Sequence, residues 1–168
     1  MEIKKLSLSA LLLAMSIAIY TLESFIPPIG GIPGVKLGLS NIVTLISLMY
    51  LGKGYTALIL FLRISVTSLI NGTLISFMFS LFGGVFAFTI MSLLILFLPK
   101  KLIWAISVSG AVFHNIGQLT AAAILIENLS TLYYLPMLML SALITGAFTG
   151  IAAQFLDERL GDIIKRKF

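Results

Sequence analysis

Apolar residues fill this chain in six long stretches, at about 6–26, 38–51, 55–71, 75–98, 102–126 and 132–156, separated by short breaks rich in Gly, Pro, Asn and Lys. Roughly 17–25 apolar residues make a helix long enough to cross a hydrocarbon core of about 30 Å. The pattern therefore predicts an all-α protein, an integral membrane bundle of six transmembrane helices forming a single domain over residues 1–168. The second and third stretches are short for a span, which is tolerable where their ends are buried in protein rather than lipid. The two halves show none of the internal repetition found in many secondary transporters.

One break differs from the others. Residues 27–41 read PPIGGIPGVKLGLSN. Pro27, Pro28 and Pro33 remove backbone donors and push their predecessors away from helical geometry. Gly30, Gly31, Gly34 and Gly38 permit backbone approaches that side chains would block. Lys36 sits near the end of the break, and Asn41 lies just inside the next apolar stretch. A stiff, nearly uncharged connection between two membrane segments reads either as the lid or wall of a site, or as a rigid hairpin.

Composition agrees with the membrane assignment. Of 168 residues, 60% are hydrophobic and only 10% charged, with a mean hydropathy of +1.15, where a soluble domain carries about 25% charged residues. The net charge of +5 reflects basic residues gathered at the ends of apolar stretches, a pattern of membrane orientation and not of nucleic-acid binding. With the N-terminus inside, Lys4, Lys5, Lys53, Lys100, Lys101, Arg159, Lys165, Arg166 and Lys167 all fall on the cytoplasmic side, Lys36 falls outside, and Arg63 lies within the membrane. The positive-inside rule then places both termini of a multi-pass cell-membrane protein in the cytoplasm. Lys4 and Lys5 before an apolar run resemble a signal peptide, but no small-residue cleavage site follows, so the segment reads as a retained helix. The chain has no cysteine, one histidine and six acids, too few to suggest a metal site or a cofactor.

The polar residues inside the apolar stretches are the candidates for function. On the first helix, Ala10, Ala14 and Ala18 form a ladder of small residues, and Ser16, Tyr20 and Glu23 form a polar stripe about 150° away at about 100° per residue. Small residues let another helix approach closely, so the ladder suits either a partner subunit or packing within this chain. The third helix carries Arg63 near its middle, with Thr67 and Asn71 one and two turns further along the same face. A charge at the bilayer centre costs roughly 2.5–3.5 kcal/mol on insertion scales and must face protein, water or a ligand. An ion pair with Glu23 is the structural alternative. In the fifth helix, His114, Asn115 and Gln118 place three polar side chains within five residues, beside Gly110, Gly117 and Ala121. Each needs a partner in hydrocarbon. In the sixth, Ala142, Gly146 and Gly150 with Thr145 and Thr149 read as helix packing, as do Gly83 and Gly84 in the fourth.

On this topology Glu23, Lys36, Asn41 and Asn71 lie in the outer half, and Arg63, His114, Asn115 and Gln118 lie from the midplane outwards. They converge on one outward-facing pocket. Two cations and several amides suit a small polar or anionic solute.

The patterns PGVKLGLSN (33–41), the membrane Arg63, NGTLISFMFSLFGG (71–84), GAVFHNIGQL (110–119) and YLPMLMLSALITG (134–146) resemble the Gx transporter family, often labelled heptaprenyl diphosphate synthase component I. The layout is also similar to the S components of energy-coupling-factor (ECF) transporters. That resemblance implies six helices, an outer pocket capped by the first loop, and an alanine ladder that docks onto a transmembrane coupling subunit linked to two ATPase subunits. Ala10, Ala14 and Ala18 would take the docking role here.

The synthase label sits poorly with the residues. Prenyl diphosphate synthesis needs clustered carboxylates to hold magnesium ions, whereas the two aspartates, Asp157 and Asp162, lie in the C-terminal tail. The chain also lacks the G-x-x-x-x-G-K-[ST] phosphate loop, so any ATP-driven transport requires a separate ATPase. The expectation is a non-enzymatic substrate-binding component of an ECF-type importer, surrounded by membrane lipid. The alternative is a membrane subunit of an isoprenoid, quinone or electron-transfer system.

Overall fold

A computed structural model describes residues 2–25, 38–71 and 74–167. The chain is all-helical: α1 spans Glu2–Ser24, α2 Ser40–Tyr50, α3 Lys53–Asn71, α4 Leu74–Phe97, α5 Ile103–Ile126 and α6 Leu135–Lys167. Short 3₁₀ turns at Lys100–Leu102 and Leu129–Tyr134 join α4 to α5 and α5 to α6. Five helices, α1 and α3 to α6, are long and apolar enough to cross a membrane.

The second apolar stretch departs from the expectation of six membrane-long helices. α2 has only 11 residues, about 16 Å at 1.5 Å per residue, well short of the hydrocarbon thickness. Its position explains why it can be short. α2 touches each of the other five helices, and these follow one another around it in the order α1, α3, α4, α5, α6. Val43, Leu45 and Leu48 of α2 are almost fully buried. Backbone ends that would be costly in lipid are surrounded by protein instead. α2 stops at Leu51, and Gly52 takes a left-handed conformation (φ 80°), so the chain reverses and starts α3 at the next residue.

The second correction concerns α6, which continues to Lys167 instead of ending near 156. Its 33 residues extend about 50 Å, beyond a membrane core of about 30 Å. The extension is anchored where the Tyr50 hydroxyl, at the end of α2, donates to Asp157.

The long helices α3 to α6 alternate in direction, each antiparallel to the next, whereas α1 and α3, joined through the short α2, run parallel. Gly117 of α5 lies so close to α4 that a methyl group there would meet the Phe82 carbonyl oxygen at 2.5 Å. The close seam between α5 and α6 carries hydrogen bonds between the Ser107 and Thr149 hydroxyls (2.9 Å) and from the Asn115 amide to the Leu138 carbonyl (2.7 Å). This alternation gathers the basic helix ends at one end of the bundle: the start of α1, the α2–α3 turn, the α4–α5 turn and the tail of α6. The main apolar core, with Leu45, Leu48, Ala87, Met91, Ile103 and Ile106, fills the centre between α2, α4 and α5. Outward faces carry Leu11, Phe61, Leu93, Leu140 and Phe148, all exposed as on a lipid-facing surface.

Candidate functional site

The end of the bundle opposite the basic turns contains a polar cavity of about 60 Å³. It lies at the N-terminal end of α2, and all six helices contribute to its wall. Tyr20 and Glu23 come from the last turns of α1, Gly38 precedes α2, and Ser40 and Asn41 open that helix. Arg63 reaches in from the middle of α3 and Ser80 from α4. Ala111, His114, Asn115 and Gln118 come from α5, and Thr145 from α6. Because α2 is short and central, its N-terminus ends inside the bundle and faces this cavity. The Asn41 and Ile42 N–H groups of its first turn are bonded to the Gly38 and Leu39 carbonyls, and the helix start contributes a partial positive charge.

Two ionisable side chains dominate the site. Arg63 is 3% exposed and Glu23 4% exposed. The Arg63 guanidinium carbon lies 5.9 Å from the centroid of the Tyr20 ring, within the range of a cation–π contact. Glu23 accepts a hydrogen bond from the backbone N–H of Gly38 (2.5 Å). Gly38 has a positive φ (66°), and its carbonyl accepts from the Asn41 N–H (2.9 Å), turning the chain into α2.

The hydroxyls and amides are held from several helices. The Tyr20 and Ser80 oxygens lie 3.4 Å apart, linking α1 to α4. Asn115 is held by its bond to Leu138, and Thr67 returns its hydroxyl hydrogen to the Arg63 carbonyl (2.8 Å). His114 and Gln118 have room because Gly83 faces them. A methyl group at residue 83 would meet His114 Cε1 at 2.8 Å and Gln118 Cγ at 3.0 Å.

Of the residues singled out in the sequence, Glu23, Asn41, Arg63, His114, Asn115 and Gln118 line this one cavity. Lys36 and the rest of 26–37 lie outside the described residues, as does the side chain of Asn71. Tyr20, Ser40, Ser80 and Thr145 also line the cavity but were not singled out as site residues. Tyr20 was legible as part of the α1 polar stripe. Ser and Thr are common within membrane helices and usually bond to their own backbone, so Ser80 and Thr145 carried no comparable signal. On α1, Ser16 and Glu23 are buried whereas Ala10, Ala14 and Ala18 are exposed, so the ladder faces away from the described bundle. No group of three or more His, Asp or Glu residues able to hold a metal ion occurs among the described residues.

A family model described as heptaprenyl diphosphate synthase component I matches residues 12–156. No curated protein and no solved structure matches the chain.

Proposed function

The chain belongs to the heptaprenyl diphosphate synthase component I family, and we propose that its own task is capture and not synthesis. In this reading it is the membrane-embedded substrate-binding component of an ECF-type ATP-driven importer. It takes a small polar or anionic solute into the cavity beneath the 27–37 loop, from outside the cell, with both termini in the cytoplasm.

The observation that carries the proposal is the buried Arg63 in a cavity with His114, Asn115, Gln118 and the N-terminus of α2. A guanidinium is costly to hold in a membrane unless it has polar partners or a ligand. Its planar donor fork suits a carboxylate or another oxyanion, and the α2 N-terminus favours the same charge. Among the described lining residues Glu23 is the one carboxylate, too little for the carboxylate-rich magnesium centre that diphosphate chemistry uses. Energy would come from partner subunits, with the exposed ladder of Ala10, Ala14 and Ala18 as the docking face for a transmembrane coupling subunit.

A second reading, a membrane subunit of an isoprenoid, quinone or electron-transfer system, is favoured by the family's name and by an apolar cavity. This cavity, about 150 Å³, lies at the other end of the bundle, between Met49, Ile95, Leu98, Ile103 and Ile106, with Lys100 at its wall.

Native mass spectrometry of the purified protein, followed by binding of whatever small molecule copurifies, separates the two readings. For the importer reading, Arg63→Gln and His114→Leu each weaken binding of that molecule by roughly one to two decades, the loss of a charge-assisted contact, while the protein stays folded. A sharp fall in thermal stability of Arg63→Gln with affinity unchanged makes Arg63 a structural partner and overturns the site. A copurifying prenyl lipid whose binding is lost on Ile103→Trp, and not on Arg63→Gln, favours the second reading.

A further inference from the structure

The apolar cavity at the basic end of the bundle is built for a different class of molecule from the polar one. Met49 at the end of α2, Ile95 and Leu98 where α4 ends, and Ile103 and Ile106 of α5 wall its volume of about 150 Å³. Ile103 and Ile106 are buried, Met49, Ile95 and Leu98 are half-buried, and Lys100 at the edge is exposed. The cavity thus leads from the main apolar core towards the surface at the α4–α5 turn.

Close-packed interiors hold few voids larger than a water molecule. An apolar void of about this volume, engineered into another protein, stays dry and takes up benzene. The described lining offers no hydroxyl or amide side chain, so water has little to bond there and hydrocarbon is the better occupant.

Position decides which hydrocarbon. Leu96, Phe97 and Trp104 are exposed at this level of the bundle, and Trp, of which the chain has one, concentrates at membrane–water interfaces. The mouth therefore lies where the chains of a phospholipid meet its headgroup. The same end carries nine of the chain's eleven Lys and Arg and four of its six acids. That excess belongs to the end as a whole and does not depend on any one ammonium group being free. Basic pockets between helices at a membrane surface draw anionic headgroups.

We propose that this cavity binds an anionic phospholipid, with a stretch of one acyl chain inside it and the phosphate against the α2–α3 and α4–α5 turns. The site is separate from solute capture, whose cavity lies at the opposite end of the bundle. It also differs from the isoprenoid reading, because the occupant is a component of the surrounding bilayer.

The test uses the full-length protein, delipidated in detergent and followed by native mass spectrometry and thermal unfolding. The probes are phosphatidylglycerol, phosphatidylcholine with the same acyl chains, and farnesyl phosphate. The expected result is retention of phosphatidylglycerol at least tenfold over phosphatidylcholine. Leu98→Trp and Ile95→Phe add bulk at the half-buried wall. Each is expected to cut that retention roughly tenfold or more, the loss of a few buried methylenes, without lowering the unfolding temperature of the lipid-free protein. Lys53→Gln combined with Lys101→Gln lowers the preference for phosphatidylglycerol by a similar factor, since each Lys near a membrane surface is worth roughly fivefold towards anionic lipid. In the wild type, phosphatidylglycerol slows hydrogen exchange over residues 95–106, which decides the location even where a filled variant unfolds.

Phosphatidylcholine held as tightly as phosphatidylglycerol overturns the anionic assignment, and retention of neither overturns the site. Full retention in folded Leu98→Trp and Ile95→Phe, or unchanged exchange over 95–106, places the lipid elsewhere and overturns it too. Farnesyl phosphate held tenfold tighter than phosphatidylglycerol overturns the phospholipid assignment and favours the isoprenoid reading.

Discussion

Glu23 and Gly38 are joined by a hydrogen bond from the Gly38 N–H to the Glu23 carboxylate. The contact ties the last turn of α1 to the residue that leads into α2, so both ends of the intervening segment are held at the rim of the polar cavity. A buried carboxylate here has two tasks, closing the helix pair and setting the charge of the site. The two tasks can be separated by substitution.

Glu23→Ala leaves the Gly38 N–H without its acceptor, whereas Glu23→Gln retains one. Losing a buried acceptor costs about 1–3 kcal/mol. Hydrogen exchange at Gly38 to Asn41 is expected to accelerate in Glu23→Ala and to remain close to wild type in Glu23→Gln. Equal acceleration in both variants would mean that charge, not the hydrogen bond, holds the start of α2.

Two glycines facing across the α4–α5 seam should respond differently. At Gly117 an added methyl meets backbone, the Phe82 carbonyl, which cannot move aside alone. Overpacking of this kind costs about 1–3 kcal/mol, so Gly117→Ala is expected to lower thermal stability. At Gly83 the methyl meets the His114 and Gln118 side chains, which can rotate into the cavity. Gly83→Ala is expected to cut ligand affinity roughly tenfold or more with a smaller loss of stability. The two measurements on the same preparations check the contrast, and a Gly83→Ala protein with full affinity would remove His114 from the site.

Ala14 is exposed on the outer face of α1. Ala14→Leu is therefore expected to leave the isolated protein's unfolding temperature within a few degrees of wild type, consistent with a surface change of about 0.5 kcal/mol or less. It should weaken assembly with a coupling subunit, read by co-purification. Unfolding of the isolated Ala14→Leu protein would assign the ladder to internal packing.

Phe25 is exposed at the cavity end of α1, and Lys101 is exposed in the basic turn between α4 and α5. In intact cells, a membrane-impermeant thiol reagent is expected to label Phe25→Cys and not Lys101→Cys, because the chain has no native cysteine and basic turns remain in the cytoplasm. The reverse pattern would invert the cavity and end the importer reading.

The sequence by itself determined the features that depend on local chemistry. Hydropathy marks each apolar stretch without reference to its neighbours, and all six stretches are helices, with boundaries shifted by a few residues and α6 extended into the tail. The cost of a charge in hydrocarbon required Arg63 to turn inwards, and it is buried. The angle between stripes on α1 separated Ser16 and Glu23 from the alanine ladder, and the structure buries the first pair and exposes the second.

Tertiary structure alone decided which helix could be short. Nothing in SNIVTLISLMY says that five helices surround it, because its burial depends on their arrangement and not on its own composition. Ringing α2 with protein removed the need to span lipid, and its N-terminus could then stop inside the bundle, at the cavity. The same packing brought Tyr20, Ser40, Ser80 and Thr145 to Arg63 and Glu23. Hydroxyl residues have similar local preferences on any membrane helix, so their membership in the site was set by the register of neighbouring helices, a property of contacts between segments distant in the chain.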